Sequence, residues 1–129
     1  MATIPESHRD LVDGAHVGSL STLGKDGAPQ VTALWYLAEG DTVLLSLTTD
    51  RQKYKNAVRH PRATLFVIDP TNPFRTLEVR GDTAVEEDPG LAVFDRIVRH
   101  YGQDPDTFPA PRDNRVVLRL TPTRVVANG

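Results

Sequence analysis

The chain has 129 residues and no cysteine, so disulfides, thiolate metal sites and thiol nucleophiles are excluded, and a length of this order suits one domain burying roughly two-thirds of its unfolded surface. Its formal net charge of -2 at pH 7 runs against a general nucleic-acid binder, which carries a basic balance. No apolar run approaches the roughly 20 residues that span a bilayer, and the N-terminal MATIPESHRD lacks the basic start and apolar stretch of a secretory signal, so a cytoplasmic protein is expected.

Residues 5–13, PESHRDLVD, predict a short helix, with Pro5 suited to its first position and Gly14 to its end. HVGSLSTL (16–23) reads as a strand, and Asp26-Gly27 is a hairpin signal. The partner strand, APQVTALWYLA (28–38), puts Val31, Ala33, Trp35 and Leu37 on one face, with Gln30 and Thr32 on the other. Pro29 cannot donate to a ladder, which places that part of the strand at an edge or an opening. TVLLSLTT (42–49) carries Val43, Leu45 and Leu47 on one face and Leu44 on the second. A helix from about Arg51 to His60 follows, capped by Asp50 or Thr49 and stopped by Pro61, with Tyr54, Ala57 and Val58 as its apolar stripe.

RATLFVID (62–69) is a buried strand, PTNP a turn, and FRTLEVRGDTAVEE (74–87) a long strand that Gly81 interrupts at a bulge or tight bend. Asp88 and Pro89 open a second helix, PGLAVFDRIVRHYG (89–102), with Leu91, Phe94, Ile97, Val98 and Tyr101 as its core stripe. After a proline-rich loop (103–113), NRVVLRLTPTRVVAN (114–128) forms one bent strand or two short ones. The sum is six strands, mostly antiparallel, with flanking helices. At this length that predicts a small closed or split β-barrel.

The predicted first long helix concentrates the chemistry. Between Arg51 and Arg62 stand Arg51, Lys53, Lys55, Arg59 and Arg62, with no acid among them. The ordinary reading of such a run is a solvated face. Against it, side chains in the first turn lean back toward the N-terminus, where free N–H groups and the positive dipole end already attract anions. Arg51 and Lys55 sit four apart, where like charges cost roughly 0.2–0.5 kcal/mol, and a bound phosphate offsets that cost. Asp50, as the cap, would compete for the same N–H groups. The four histidines show no metal-ligand spacing, so no metal is expected, and no nucleophile–base motif or phosphate loop is present.

Together, DGAPQ (26–30) and SLTTDRQKYKNAVRHPRATL (46–65) resemble the flavin/deazaflavin oxidoreductases of the pyridoxamine 5'-phosphate oxidase-like split-barrel superfamily, nearest to the branch that binds coenzyme F420. The matching positions are Arg51, Lys53, Asn56, Pro61, Arg62 and Ala63, and NRVVLRL fits the family's C-terminal strand. The resemblance implies a homodimer with cofactors between subunits. It implies a phosphate held by Arg51 and Lys53, with Ser46 and the Gln52 backbone nearby, and a ring system lined by Pro29, Gln30 and Thr32. Asn56 and Arg62 match positions that are structural. FMN is the alternative cofactor, since it brings a similar phosphate; the deazaflavin's glutamate tail would favour further cations such as Lys55 or Arg59. The expected activity is hydride transfer between reduced F420 and a small conjugated substrate. The alternatives are an FMN enzyme and a non-catalytic cofactor carrier. Tyr36, Tyr101 and bound water are the candidate proton donors, and no catalytic residue is named.

Overall fold

A computed structural model describes residues 1–129. Seven strands form one antiparallel sheet: β1 (Gly18–Leu23), β2 (Pro29–Leu34), β3 (Leu37–Glu39), β4 (Thr42–Thr48), β5 (Arg62–Asp69), β6 (Asn72–Glu87) and β7 (Arg115–Asn128). The helices are α1 (Asp10–Asp13), α2 (Gln52–Arg59) and α3 (Ala92–His100). Single 3-10 turns precede α1 and α3, at Glu6–His8 and Pro89–Leu91, so each end helix is shorter than the sequence predicts.

The strand count is seven rather than six, and the sheet is not closed. The extra strand arises where the predicted strand 28–38 breaks at Trp35 and Tyr36. There the Tyr36 side chain is fully buried and its hydroxyl donates to the Leu11 carbonyl at 2.6 Å. The Tyr36 N–H is turned to the Tyr101 hydroxyl at 3.2 Å, so it is lost to any ladder.

Strand order is β2-β1-β5-β6-β7-β4-β3. The two edges, β2 and β3, are therefore consecutive in the chain and joined by two residues. Three Cα–Cα steps reach at most about 11 Å, so the edges must meet at that corner and the sheet must curl. Away from the corner they separate, because β3 covers only Thr42–Leu44 of β4 and leaves Ser46–Thr48 unpaired on that side. Pro29 heads edge strand β2, as its missing donor requires.

The concave face holds the core, including Leu20, Val43, Leu45, Leu65, Val67, Leu77, Val79, Leu118 and Leu120, with Leu11 and Val12 from α1 closing one end. α3 packs on β4 and β3, and Leu44, on the convex face of β4, is buried. Asp88 anchors α3 by accepting the N–H groups of Val93 and Phe94 at 2.9 and 3.0 Å.

β6 and β7 slip register between Arg80 and Gly81, which bends both long strands. A Cβ on Gly81 would run into the Thr121 carbonyl carbon at 2.7 Å and the Pro122 Cα at 3.0 Å. Backbone cannot yield there as a flexible side chain would. Gly81→Ala is expected to destabilise the protein by about 3 kcal/mol, read as a lowered denaturant midpoint at unchanged slope.

Candidate functional site

The opening between β2 and the bare half of β4 is a cavity of about 680 Å³. β2 supplies Gln30 and Thr32, β4 supplies Ser46 to Thr48, the entry and start of α2 supply Asp50, Arg51, Gln52 and Lys53, and the segment entering β7 supplies Pro111 and Asp113 to Arg115. Of the sequence-predicted site residues, Gln30, Thr32, Ser46, Arg51, Gln52 and Lys53 come together here. Pro29 does not; it is exposed, opposite Leu23 in the β1–β2 ladder.

α2 begins differently from the expectation. Neither Asp50 nor Thr49 caps it. Arg51 occupies the cap position in extended backbone and no side chain accepts from the first turn. The Gln52, Lys53 and Tyr54 N–H groups therefore have no intrahelical acceptor, and they open beside the cavity. The Asp50 carboxyl, fully exposed, is instead held below its ordinary value, first by the Thr48 hydroxyl. The carboxylate nonetheless lines the cavity, and the charges of Arg51 and Lys55 are among the causes that hold it ionised.

Lys53 Nζ donates to Thr32 Oγ1 at 3.3 Å, tying α2 to the edge of β2. Arg115 was not singled out in the sequence. It donates to Ser46 Oγ at 3.3 Å and to the Pro111 carbonyl at 2.7 Å. The molecule has ten ion pairs, and Arg51, Lys53 and Arg115 take part in none of them. Lys55 and Arg59 do not line the cavity, and Arg59 turns back to Asn56 Oδ1 at 3.1 Å.

The polar support lies behind this surface. Asn56 is completely buried, whereas Val58, expected on the packed stripe, is 56% exposed. Asn56 donates to Thr22 Oγ1 and Gln30 Oε1 and accepts from Gln52 Nε2 and Arg59. It fixes two lining glutamines at once, which is the structural role the resemblance implies. Arg62 is exposed and only loosely paired with Asp82, at 3.9 Å.

Burial first, then the charges of Arg51 and Arg115, push the Lys53 ammonium below its ordinary 10.5. Burial first, then Arg51 and Arg112, lowers the Arg115 guanidinium too. Three mutually repelling cations around a polar cavity form a donor set suited to an anion with several oxygens, such as a phosphate.

The sign for Lys53 follows from its depressed affinity for the proton. Between the folded pKa and 10.5 the unfolded chain binds more protons, so stability rises with pH in that window; below it the penalty is fully present. Lys53→Met is therefore expected to raise the ligand-free melting temperature at about pH 7, with the gain shrinking toward about pH 10. Thermal unfolding of both proteins across that range measures it, and no gain at neutral pH would mean the ammonium is unstrained.

The two tyrosines do not face the cavity as donors. The Tyr101 hydroxyl donates to the His16 carbonyl at 2.5 Å, and the Tyr36 hydroxyl is committed to Leu11. Burial raises the pKa of both.

Comparison with known proteins adds to this geometry. A family model described as Pyridoxamine 5'-phosphate oxidase matches residues 4–128. A solved structure of an F420 reductase is 35% identical, with a TM-score of 0.88, over 95% of this chain and 98% of that one. A conserved hypothetical protein of Mycobacterium tuberculosis shares the fold at 24% identity and a TM-score of 0.75, over 98% of this chain and 85% of the other. A heme binding protein of Mycobacterium smegmatis does so at 20% identity and 0.78, over 99% of this chain and 56% of the other. No curated protein sequence matches the chain. No helix is long and apolar enough to cross a membrane. The sheet with its opening between β2 and β4, the cations gathered there and the match over nearly the whole length agree: the chain belongs to the pyridoxamine 5'-phosphate oxidase family of split-barrel proteins.

Proposed function

We propose that this protein is a cytoplasmic F420-dependent oxidoreductase, acting as a homodimer, that moves a hydride between reduced deazaflavin and a small conjugated organic compound. The observation that carries the reading is the set of three unpaired cations, Arg51, Lys53 and Arg115, converging with the uncapped start of α2 on one cavity. The likeness to an F420 reductase supports the choice of cofactor. In this reading Arg51, Lys53 and the α2 N–H groups hold the phosphate, Ser46 and Arg115 border it, and Gln30 and Thr32 face the ring system. When bound, the deazaflavin supplies the hydride chemistry. The chain's residues bind it, orient it and exclude water. With both tyrosine hydroxyls committed inward, water is the proton source.

The dimer is supported by the convex face of β2, β1 and β5. There Ala33, Ser19 and Phe66 lie in one cross-strand row, and Val31, Ser21 and Thr64 in the next. Val31 is 61% and Phe66 37% exposed, and small side chains lie between them. Sedimentation of the purified protein tests it.

The deciding experiment is a fluorescence titration with F420 and FMN in parallel. Preferential F420 binding supports the reading, and preferential FMN binding assigns the same phosphate seat to a flavin. A carrier is favoured by one observation, that neither tyrosine offers its proton to the cavity. Reduced F420 with a panel of conjugated enones separates the two, because tight binding without turnover would leave only the carrier.

A further inference from the structure

Beside the polar cavity lies a second, apolar compartment of about 270 Å³ between α3 and the convex face of β4 and β7. Leu34, Trp35, Phe94, Ile97, Val98 and Phe108 wall it, and Ser46 and Arg115 line both compartments. The slot exists because the chain leaves β2 at Leu34, turns through Trp35 and rejoins the sheet only at Leu37, beside the face of β4 on which α3 packs.

Its walls are flat and held. The Trp35 ring stacks on Tyr101 with centroids 4.4 Å apart and planes 8° from parallel, and the Tyr101 hydroxyl is fixed on the His16 carbonyl. Phe108 lies 5.3 Å from Trp35 and 6.4 Å from Phe94. The sole charged group on the perimeter is Arg115, whose guanidinium carbon sits 4.3 Å over the Phe94 ring and has no carboxylate partner. Planar aromatic walls with one guanidinium at the end, its Nε and Nη1 held by Pro111 and Ser46 and its Nη2 without a hydrogen-bond partner, complement a flat apolar body that carries one oxygen acceptor. The volume lies below the roughly 300–1,000 Å³ of drug-sized sites, so it encloses one or two rings and cannot enclose a tetrapyrrole.

We propose that this slot is the substrate subsite and that it takes a planar conjugated carbonyl or carboxylate compound of one or two rings, with its oxygen toward Arg115. The assignment rests on the deazaflavin reading of the adjoining cavity. Trp35, Phe94 and Phe108 set specificity for flat substrates, and Arg115 holds and polarises the oxygen.

Trp35 is the only tryptophan in the chain, so its indole N–H gives a single nitrogen-correlated NMR signal inside the slot. The test titrates trans-cinnamate into the protein, alone and with F420 bound, while F420 affinity is read from its own fluorescence. The expected result is a saturable shift of the indole signal in both forms. Phe108→Ala should weaken cinnamate about tenfold or more, and Leu34→Phe, which narrows the slot without adding an indole, should greatly reduce the shift, while both variants keep F420 affinity within about twofold. An indole signal that does not respond to cinnamate, in protein that binds F420 normally, overturns the slot and leaves the cofactor reading standing. Loss of F420 affinity in both slot variants also overturns it, because the slot would then seat the cofactor ring. Failure of the unaltered protein to bind F420 ends the cofactor reading itself.

Discussion

Replacing both Arg51 and Lys53 with alanine is expected to weaken F420 binding by about a thousandfold. A hydrogen bond to a charged group contributes roughly 1.5–3 kcal/mol, so each single change should cost about ten- to a hundredfold. The double variant should fall short of the product of the singles. In the ligand-free protein the charge of Arg51 helps to depress Lys53, so removing one cation relieves the other. Fluorescence titration at fixed ionic strength measures all three variants, since added salt screens exposed Arg51 more than half-buried Lys53. A double variant that bound F420 within about threefold of the parent would remove the clamp from the account.

Asn56→Leu carries the largest expected stability effect at the site. The side chain uses both amide donors and both acceptor lone pairs, at 2.8 to 3.3 Å, and none of it reaches solvent. Leucine matches its size and satisfies none of the four partners, leaving the Gln52 amide unpaired beside the cavity and the Gln30 carbonyl with only the long contact from the Thr22 hydroxyl at 3.5 Å. The expected cost is about 3 kcal/mol, or about 10 °C in melting temperature for a domain of this size. F420 affinity should fall as well, because both glutamines lose their orientation. A variant with unchanged melting temperature would show that the network contributes nothing net.

These two predictions mark how far the sequence could be read. The cations of α2 were legible because a local run without acids needs no knowledge of the fold, and β5 was legible because RATLFVID is bounded by Pro61 and a turn. Asn56 was not. The period-3.6 reading selected Tyr54, Ala57 and Val58, whereas the helix buries a polar residue toward β1 and β2 and exposes Val58. Polar side chains buried beside a ligand cavity are where local pattern and tertiary structure part company.

Arg115 was missed for a different reason. It lies 64 positions after Arg51 and reaches the cavity only through the β4–β7 pairing that sets Thr48 opposite it. The seventh strand was hidden because Trp35, Tyr36 and Leu37 continue an apolar run. Nothing in that run tells that its two halves occupy opposite edges of one sheet. The α2 cap was misassigned because Asp50 has the right chemistry one residue too early; the chain enters the helix at Arg51 in extended backbone.

The two-residue joint at Trp35 and Tyr36 works as a clasp on an otherwise open cuff. Because both margins of the cuff hang from it, the width of the slit is governed there and not by the residues that line it. Adding a residue or two at the joint would let the slit gape while every ladder elsewhere kept its register. Aperture and chemistry are therefore separately adjustable in this architecture: one protein could admit bulkier guests than its sibling while keeping the same seat for the anion.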